Sequence, residues 1–221
     1  PPVPSGYKYD FGSIIENPTA DDFQLLYDTY MSGIPFPSFG PETDDISRFI
    51  NSILYIDGSG LLFAFNFSFY NEYVEPTADE FRQTGIEVDE FMEESINNGM
   101  QMYMRYYIED IEWLLMALYG IESDLIDISS YYADSFCYEQ YFYRHAAENY
   151  MGNPATWCTD FEAEYESLGN GQYKFSIDLK LEFDYDFGSS TYHVDLIATP
   201  MHSSDVGTYW RILSHEANES N

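Results

Sequence analysis

Positive charge is scarce in this chain: 8 Lys and Arg stand against 39 Asp and Glu in 221 residues, a formal net charge of −31. That scarcity excludes direct binding to a nucleic-acid backbone, which needs clustered Lys and Arg over the phosphates. It also disfavours docking on an anionic membrane surface. Charge of this size bears on solubility and partners and leaves the fold open.

Long apolar runs are missing too. Nothing approaches the roughly 18 consecutive apolar residues of a spanning helix, so no membrane span is expected. Cysteine is nearly absent, with only Cys137 and Cys158. In an oxidising compartment these two would close a loop of about 20 residues, stabilising by roughly 3 kcal/mol in the chain-entropy view. As separate thiols they would act as small buried hydrophobes; the sequence leaves both readings open. Neither belongs to a CxxC pair, so no metal site is expected from them. The HExxH, GxSxG, GxGxxG, Walker and EF-hand patterns are absent. With them go the usual zinc, ester-hydrolase, phosphate-loop and calcium signatures. No cofactor is expected.

What is present is aromatic. Aromatics make up 19% of the chain, with 22 Tyr, and apolar residues 45%. Disordered acidic chains are poor in such residues. The expectation is a globular domain with an acidic skin over an aromatic interior, which suits Tyr because its ring packs while its hydroxyl reaches water.

The chain opens Pro1-Pro2-Val3-Pro4-Ser5-Gly6, and its first Met is Met31. A Pro/Gly/Ser stretch of this kind reads as a spacer between an anchor and a domain. It carries the expectation of an exported protein, extracellular or in the cell envelope, lipid-anchored before processing or truncation. Residues 1–16 read as tail or spacer, 17–216 as one α+β domain and 217–221 as a tail. Within the domain, 17–75 form a helical extension and 76–216 a helix-plus-sheet part.

Helix signals come first. Thr19, with Asp22 three residues on, predicts a helix start, and Phe23, Leu26, Tyr27 and Tyr30 give it an apolar stripe. Thr43 opens a second helix whose Ile46, Phe49, Ile50, Ile53 and Leu54 follow the helical template. Leu61–Phe69 alternates as a strand. Pro76-Thr77-Ala78-Asp79-Glu80-Phe81 nearly repeats Pro18–Phe23, a convergence on good capping chemistry. Ile96, Met100, Tyr103, Tyr107, Ile111, Leu114 and Leu118 then predict one long helix ending at Gly120. A further helix is expected from about 130 to 150.

The last third changes period. The odd positions Tyr173–Phe187 are apolar and the intervening ones polar, a strand with one face buried. A loop at Gly169-Asn170-Gly171 sets Tyr165 against Phe175, Ala163 against Ile177 and Phe161 against Leu179. The same register places Glu166 beside Lys174 and Asp160 beside Lys180, so both faces agree. An even-numbered loop near Gly188 pairs Phe187 with Tyr192, Tyr185 with Val194 and Phe183 with Leu196. A last strand near Thr208–Ser214 completes a four-strand meander. The fold expected is α+β, with N-terminal helices packed on one face of a C-terminal bent antiparallel meander of about four strands.

That order of elements, ending on a strand with Trp210-Arg211-Ile212, resembles the NTF2-like fold over roughly residues 81–215. The resemblance implies a bent sheet and helices around a conical pocket. It implies no chemistry, because that fold hosts enzymes, ligand binders and interaction modules alike.

Candidate chemistry is sparse. Of His145, His193, His202 and His215, only His193 gains a partner in this register: it lies across from Asp186 on the polar face of the sheet. A His–Asp pair can orient a general base, and on a solvated face it reads more simply as a cross-strand polar pair. Glu109, Asp110, Glu112, Asp124 and Asp127 fall on or after the long helix, and Glu162, Glu164 and Glu166 on one strand face, where loose cation binding is the most they suggest. Asn66-Phe67-Ser68 and Asn218-Glu219-Ser220 match the glycosylation sequon. The aromatic run Tyr131, Tyr132, Phe136, Tyr138, Tyr141, Phe142 and Tyr143 reads as core more readily than as a sugar-stacking surface. Three functions remain. The first is a non-enzymatic binding module of unknown ligand. The others are a small-molecule enzyme using an NTF2-like pocket and an acidic nucleic-acid mimic.

Overall fold

The structure, a computed structural model, describes residues 9–31, 71–85, 87–99, 102–122, 135–145, 156–183 and 188–220. Within them the chain is mixed α+β. In order come β1 (Ser13–Ile14), α1 (Ala20–Met31), β2 (Asn71–Val74), α2 (Ala78–Gln83), α3 (Glu90–Asn97), β3 (Tyr103–Tyr107) and α4 (Ile108–Tyr119). Then follow β4 (Ser135–Tyr138), β5 (Tyr141–His145), β6 (Thr156–Gly169), β7 (Gln172–Phe183), β8 (Ser189–Ser203) and β9 (Gly207–Ser220). The helix predicted from Thr43 and the strand Leu61–Phe69 lie outside the described residues.

The chain divides into two compact units interleaved in sequence: Pro1–Ser68, Leu115–Ile121 and Pro154–Asn221 make one, Phe69–Leu114 and Glu122–Asn153 the other. The first is built on the C-terminal meander, β6-β7-β8-β9, all antiparallel. The β6–β7 register is the expected one, with Tyr165 opposite Phe175, Ala163 opposite Ile177, Phe161 opposite Leu179, Glu166 opposite Lys174 and Asp160 opposite Lys180. Its turn is tighter than the three-residue loop expected. Gly169 pairs with Gln172, leaving Asn170 and Gly171, both at positive φ (53° and 74°), as a two-residue turn, and Leu168 bulges out to absorb the difference. Asn-Gly suits such a turn because both positions need left-handed backbone.

One face of this meander is apolar. Phe175, Ile177, Leu179, Val194, Leu196, Trp210 and Ile212 are buried along it. The first turn of α1 is closed by Thr19 and Asp22: Thr19 N–H donates to Asp22 Oδ2 at 2.7 Å, and Asp22 N–H donates to Thr19 Oγ1 at 3.4 Å. That cap starts the helix where Phe23 stacks on Tyr165 at 4.3 Å and meets Trp210 at 5.5 Å. Tyr27 follows one turn later against Phe161 at 5.5 Å. Trp210 Nε1–H donates to Asp22 O at 2.7 Å, fixing the helix start on the last strand.

Residues 1–16 and 217–221, expected as tails, are partly structured. Past the start of β7, β1 pairs with β8, Ser13 with His202 and Ile14 with Met201. Phe11 is buried, and its carbonyl accepts from the Tyr209 hydroxyl at 2.7 Å. Gly12, at φ +69°, lets the chain pass against the His202 carbonyl. At the other end β9 runs on to Ser220, opposite Thr191. A long partner strand, β8, supplies backbone pairing at both places, and that is what the composition of the tails does not disclose.

The second unit corrects two expectations. The long helix Ile96–Leu118 is instead α3, a strand and α4. Gly99, at φ +66°, stops α3, and Tyr103–Tyr107 enters a four-stranded antiparallel sheet ordered β2-β3-β5-β4. Within the helix expected at 130–150, residues 135–145 are instead the β4–β5 hairpin, turning at Glu139-Gln140 with Glu139 at φ 54°. Tyr and Phe pack well on a pleated sheet, and their spacing here satisfied a helical period by coincidence. Thr77 and Glu80 form a full capping box that starts α2. Phe81 from this helix packs with Tyr103, Phe136 and Tyr143 as the unit's buried core.

Candidate functional site

The chemistry-bearing side chains of the first unit gather on the solvent face of the meander, opposite the one that α1 meets. Alternation places Ser176 and Asp178 of β7 outward. Pairing sets Asp178 directly across from His193 and Ser176 across from Asp195. His193 Nδ1 lies 2.7 Å from Asp178 Oδ1, and its Nε2 lies 3.5 Å from both Asp195 Oδ2 and Ser176 Oγ. Lys174 Nζ is 3.7 Å from Asp195 Oδ1. The hydrogen bond with Asp178 holds the His193 pKa above its ordinary value against desolvation, and the charges of Asp178 and Asp195 act in the same direction as the hydrogen bond.

The partner of His193 is therefore Asp178, not Asp186, which lies outside the described residues. The odd/even parity of the predicted β7–β8 pairing is right, and its offset is eight positions out. Tyr192, Val194 and Leu196 face Leu179, Ile177 and Phe175. Parity follows from which face is apolar, whereas the offset is set by loop length, and alternation says nothing about that.

An Asp–His–Ser series invites comparison with a nucleophilic triad. Two features work against that chemistry. Ser176 Oγ stands at the outer limit of hydrogen bonding, and Asp195 is equally near the same ring nitrogen. Strand β7 is also interior, paired with β6 on one side and β8 on the other, so the N–H groups beside Ser176 serve the ladder and are not free to hold an oxyanion. What the arrangement does is favour the imidazolium form of His193 over the neutral ring.

Strand β6 lines the edge of this face with Asp160, Glu162, Glu164 and Glu166, all exposed. The neighbouring lysines of β7 turn elsewhere, Lys174 to Asp195 and Lys180 to Glu182 at 3.3 Å. Among the described residues, no ion pair engages those four carboxylates.

The remaining sequence candidates scatter. His202 Nδ1 is 3.3 Å from Thr208 Oγ1, His215 is buried on the inner face across from Leu196, and His145 closes β5. Asp110 is buried on α4, with Glu109 and Glu112 beside it in sequence; Asp124 and Asp127 lie outside the described residues. Cys137 lies on β4 and Cys158 on β6, both partly buried. Among the described residues no group of three or more His, Cys, Asp or Glu is placed to hold a metal ion, and no helix is long and apolar enough to cross a membrane. The aromatic run is core in part: Phe136 and Tyr143 stack at 4.6 Å and are buried. Tyr131 and Tyr132 lie outside the described residues.

Sequence reasoning missed Arg105. It pairs with Glu72 across β2–β3 and sits over the Tyr141 ring at 4.3 Å. Its only signal was rarity, as one of 8 basic residues.

Comparison with family models, with curated proteins and with solved structures found no match to this chain.

Proposed function

We propose that this chain is a non-enzymatic binding module, exported or tethered at the cell surface, which recognises its partner through the solvent face of the C-terminal sheet. The carrying observation is the organisation of that face. His193 lies between Asp178 and Asp195, and the β6 carboxylates stand beside it without ion pairs among the described residues. Such a surface offers strong, salt-sensitive attraction to a cationic partner. The proposal includes the layout in which N-terminal helices cover the other face, supported by the packing of Phe23 and Tyr27 on the meander.

The second reading, a small-molecule enzyme, draws on the Asp178–His193–Ser176 series. The two separate cleanly. Incubated with p-nitrophenyl acetate, the full chain is expected to release nitrophenol no faster than its His193→Ala variant. Turnover that is lost in both His193→Ala and Ser176→Ala would overturn the non-enzymatic reading. Cell fractionation checks location: recovery with the envelope or the medium is expected, and recovery with the cytosol counts against it.

A further inference from the structure

Strand β6 is long and regular, and among the described residues one side of it is unpaired. From Asp160 to Ser167 it pairs residue for residue with β7, between a bulge at Thr159 and another at Leu168. Among the described residues no strand pairs with its other side. Along that edge the outward side chains are Asp160, Glu162, Glu164 and Glu166, and the inward ones Phe161, Ala163 and Tyr165. Tyr165 remains 53% exposed although its ring stacks on Phe23.

We infer that this edge receives an extended, basic segment of another polypeptide, which adds as a further strand beside β6. This rests on the binding-module reading and names its partner class. Three features select the occupant. Outward positions of an added strand stand roughly 5 Å from Glu162, Glu164 and Glu166, the distance at which opposite charges directly across a ladder attract. Inward positions meet an apolar strip of Phe161, Ala163 and Tyr165, of which Tyr165 is half-exposed. A second copy of this chain is excluded as occupant, because β6 against β6 sets carboxylate opposite carboxylate. The edge thus bars self-pairing, as protected edges do, while remaining open to a strand of opposite charge. Backbone hydrogen bonds would supply affinity, and the alternation of basic and apolar side chains would supply specificity.

The test uses the full chain and two capped octapeptides of equal composition, one alternating Lys and Val, the other with its four Lys and four Val in blocks. Calorimetry and amide hydrogen exchange are read together. The alternating peptide is expected to bind at least about tenfold tighter than the block peptide and to slow exchange within Asp160–Ser167. The triple variant Glu162→Gln, Glu164→Gln, Glu166→Gln should weaken it by about tenfold, since exposed ion pairs are individually weak and the three act together. These substitutions lie on the surface, and Glu75→Gln in the other unit serves as a folded control with unchanged binding. Equal binding of both peptides without protection of β6 would overturn strand addition and leave only diffuse charge attraction. Binding of neither, with another ligand held elsewhere on the chain, overturns the edge assignment and spares the module. Protection of β6 together with ester turnover dependent on His193 supports the edge and defeats the non-enzymatic reading.

Discussion

His193 Nδ1 and Asp178 Oδ1 stand 2.7 Å apart, joined across adjacent strands at a directly opposed pair. The hydrogen bond favours imidazolium over neutral imidazole, so the ring should titrate above 6.5. NMR titration of the ring protons in wild type and Asp178→Asn checks this: the variant should move back towards 6.5. A raised folded-state pKa stabilises the fold fully below the unfolded value and ceases to do so as pH rises through the folded one. The loss is small, because both partners are solvent-exposed. A midpoint unmoved by Asp178→Asn would assign the shift to Asp195 or to the general acidic field.

Gly12 has the least tolerant position described. At φ +69° a Cβ there would lie 1.8 Å from the His202 carbonyl oxygen. Gly12→Ala should therefore release residues 10–15 from the edge of β8, at more than the roughly 1–2 kcal/mol that left-handed backbone alone costs an L-residue. Tyr209 reports the release. Burial pushes its phenol up to about 12, and its hydroxyl donates to Phe11 O. In Gly12→Ala its titration, read as the difference from Tyr209→Phe, should fall towards 10. An unchanged titration would mean that the segment stays docked.

The capping box of α2 gives a test confined to the second unit. Thr77 N–H donates to Glu80 Oε2 at 2.6 Å, and Glu80 N–H donates back to Thr77 Oγ1 at 3.3 Å. Thr77→Ala should destabilise this unit by about 1 kcal/mol and Thr77→Ser by less, since the hydroxyl survives. Amide exchange in α2 and around Phe81 distinguishes them.

The sequence made the β6–β7 register legible because two kinds of pairing had to agree there, Tyr165 with Phe175 and Glu166 with Lys174. Capping was legible for a similar reason, since Thr19 and Thr77 each carry an acid three residues on. The second unit was not. Tyr103 and Tyr107 fit a helical stripe as well as a strand, and only the left-handed turn at Gly99 decides between them. The Glu139-Gln140 turn carries none of the Gly, Asn or Pro that announces a hairpin. For the site, His193 and its polar face were legible, while Asp178 depended on the length of the β7–β8 connection, which leaves no mark on alternation.

Trp210 is the point where helix and sheet are held in register. Its ring lies 5.5 Å from Phe23 and 5.3 Å from Phe175, and its Nε1–H donates to Asp22 O. Size and hydrogen bond can be separated. Trp210→Phe keeps an aromatic contact and loses the donor, and Asp22 O keeps its helical role, so the cost should fall at about 1–3 kcal/mol from lost volume and hydrogen bond together. Phe23→Leu keeps the hydrogen bond and loses the ring pair. If the two rings act directly on one another, the double variant should be less destabilised than the sum of the singles by about 0.5–1.5 kcal/mol. Additive losses in denaturant unfolding would instead mean that each ring merely fills space, and that the Nε1–H bond alone sets where α1 begins on β9.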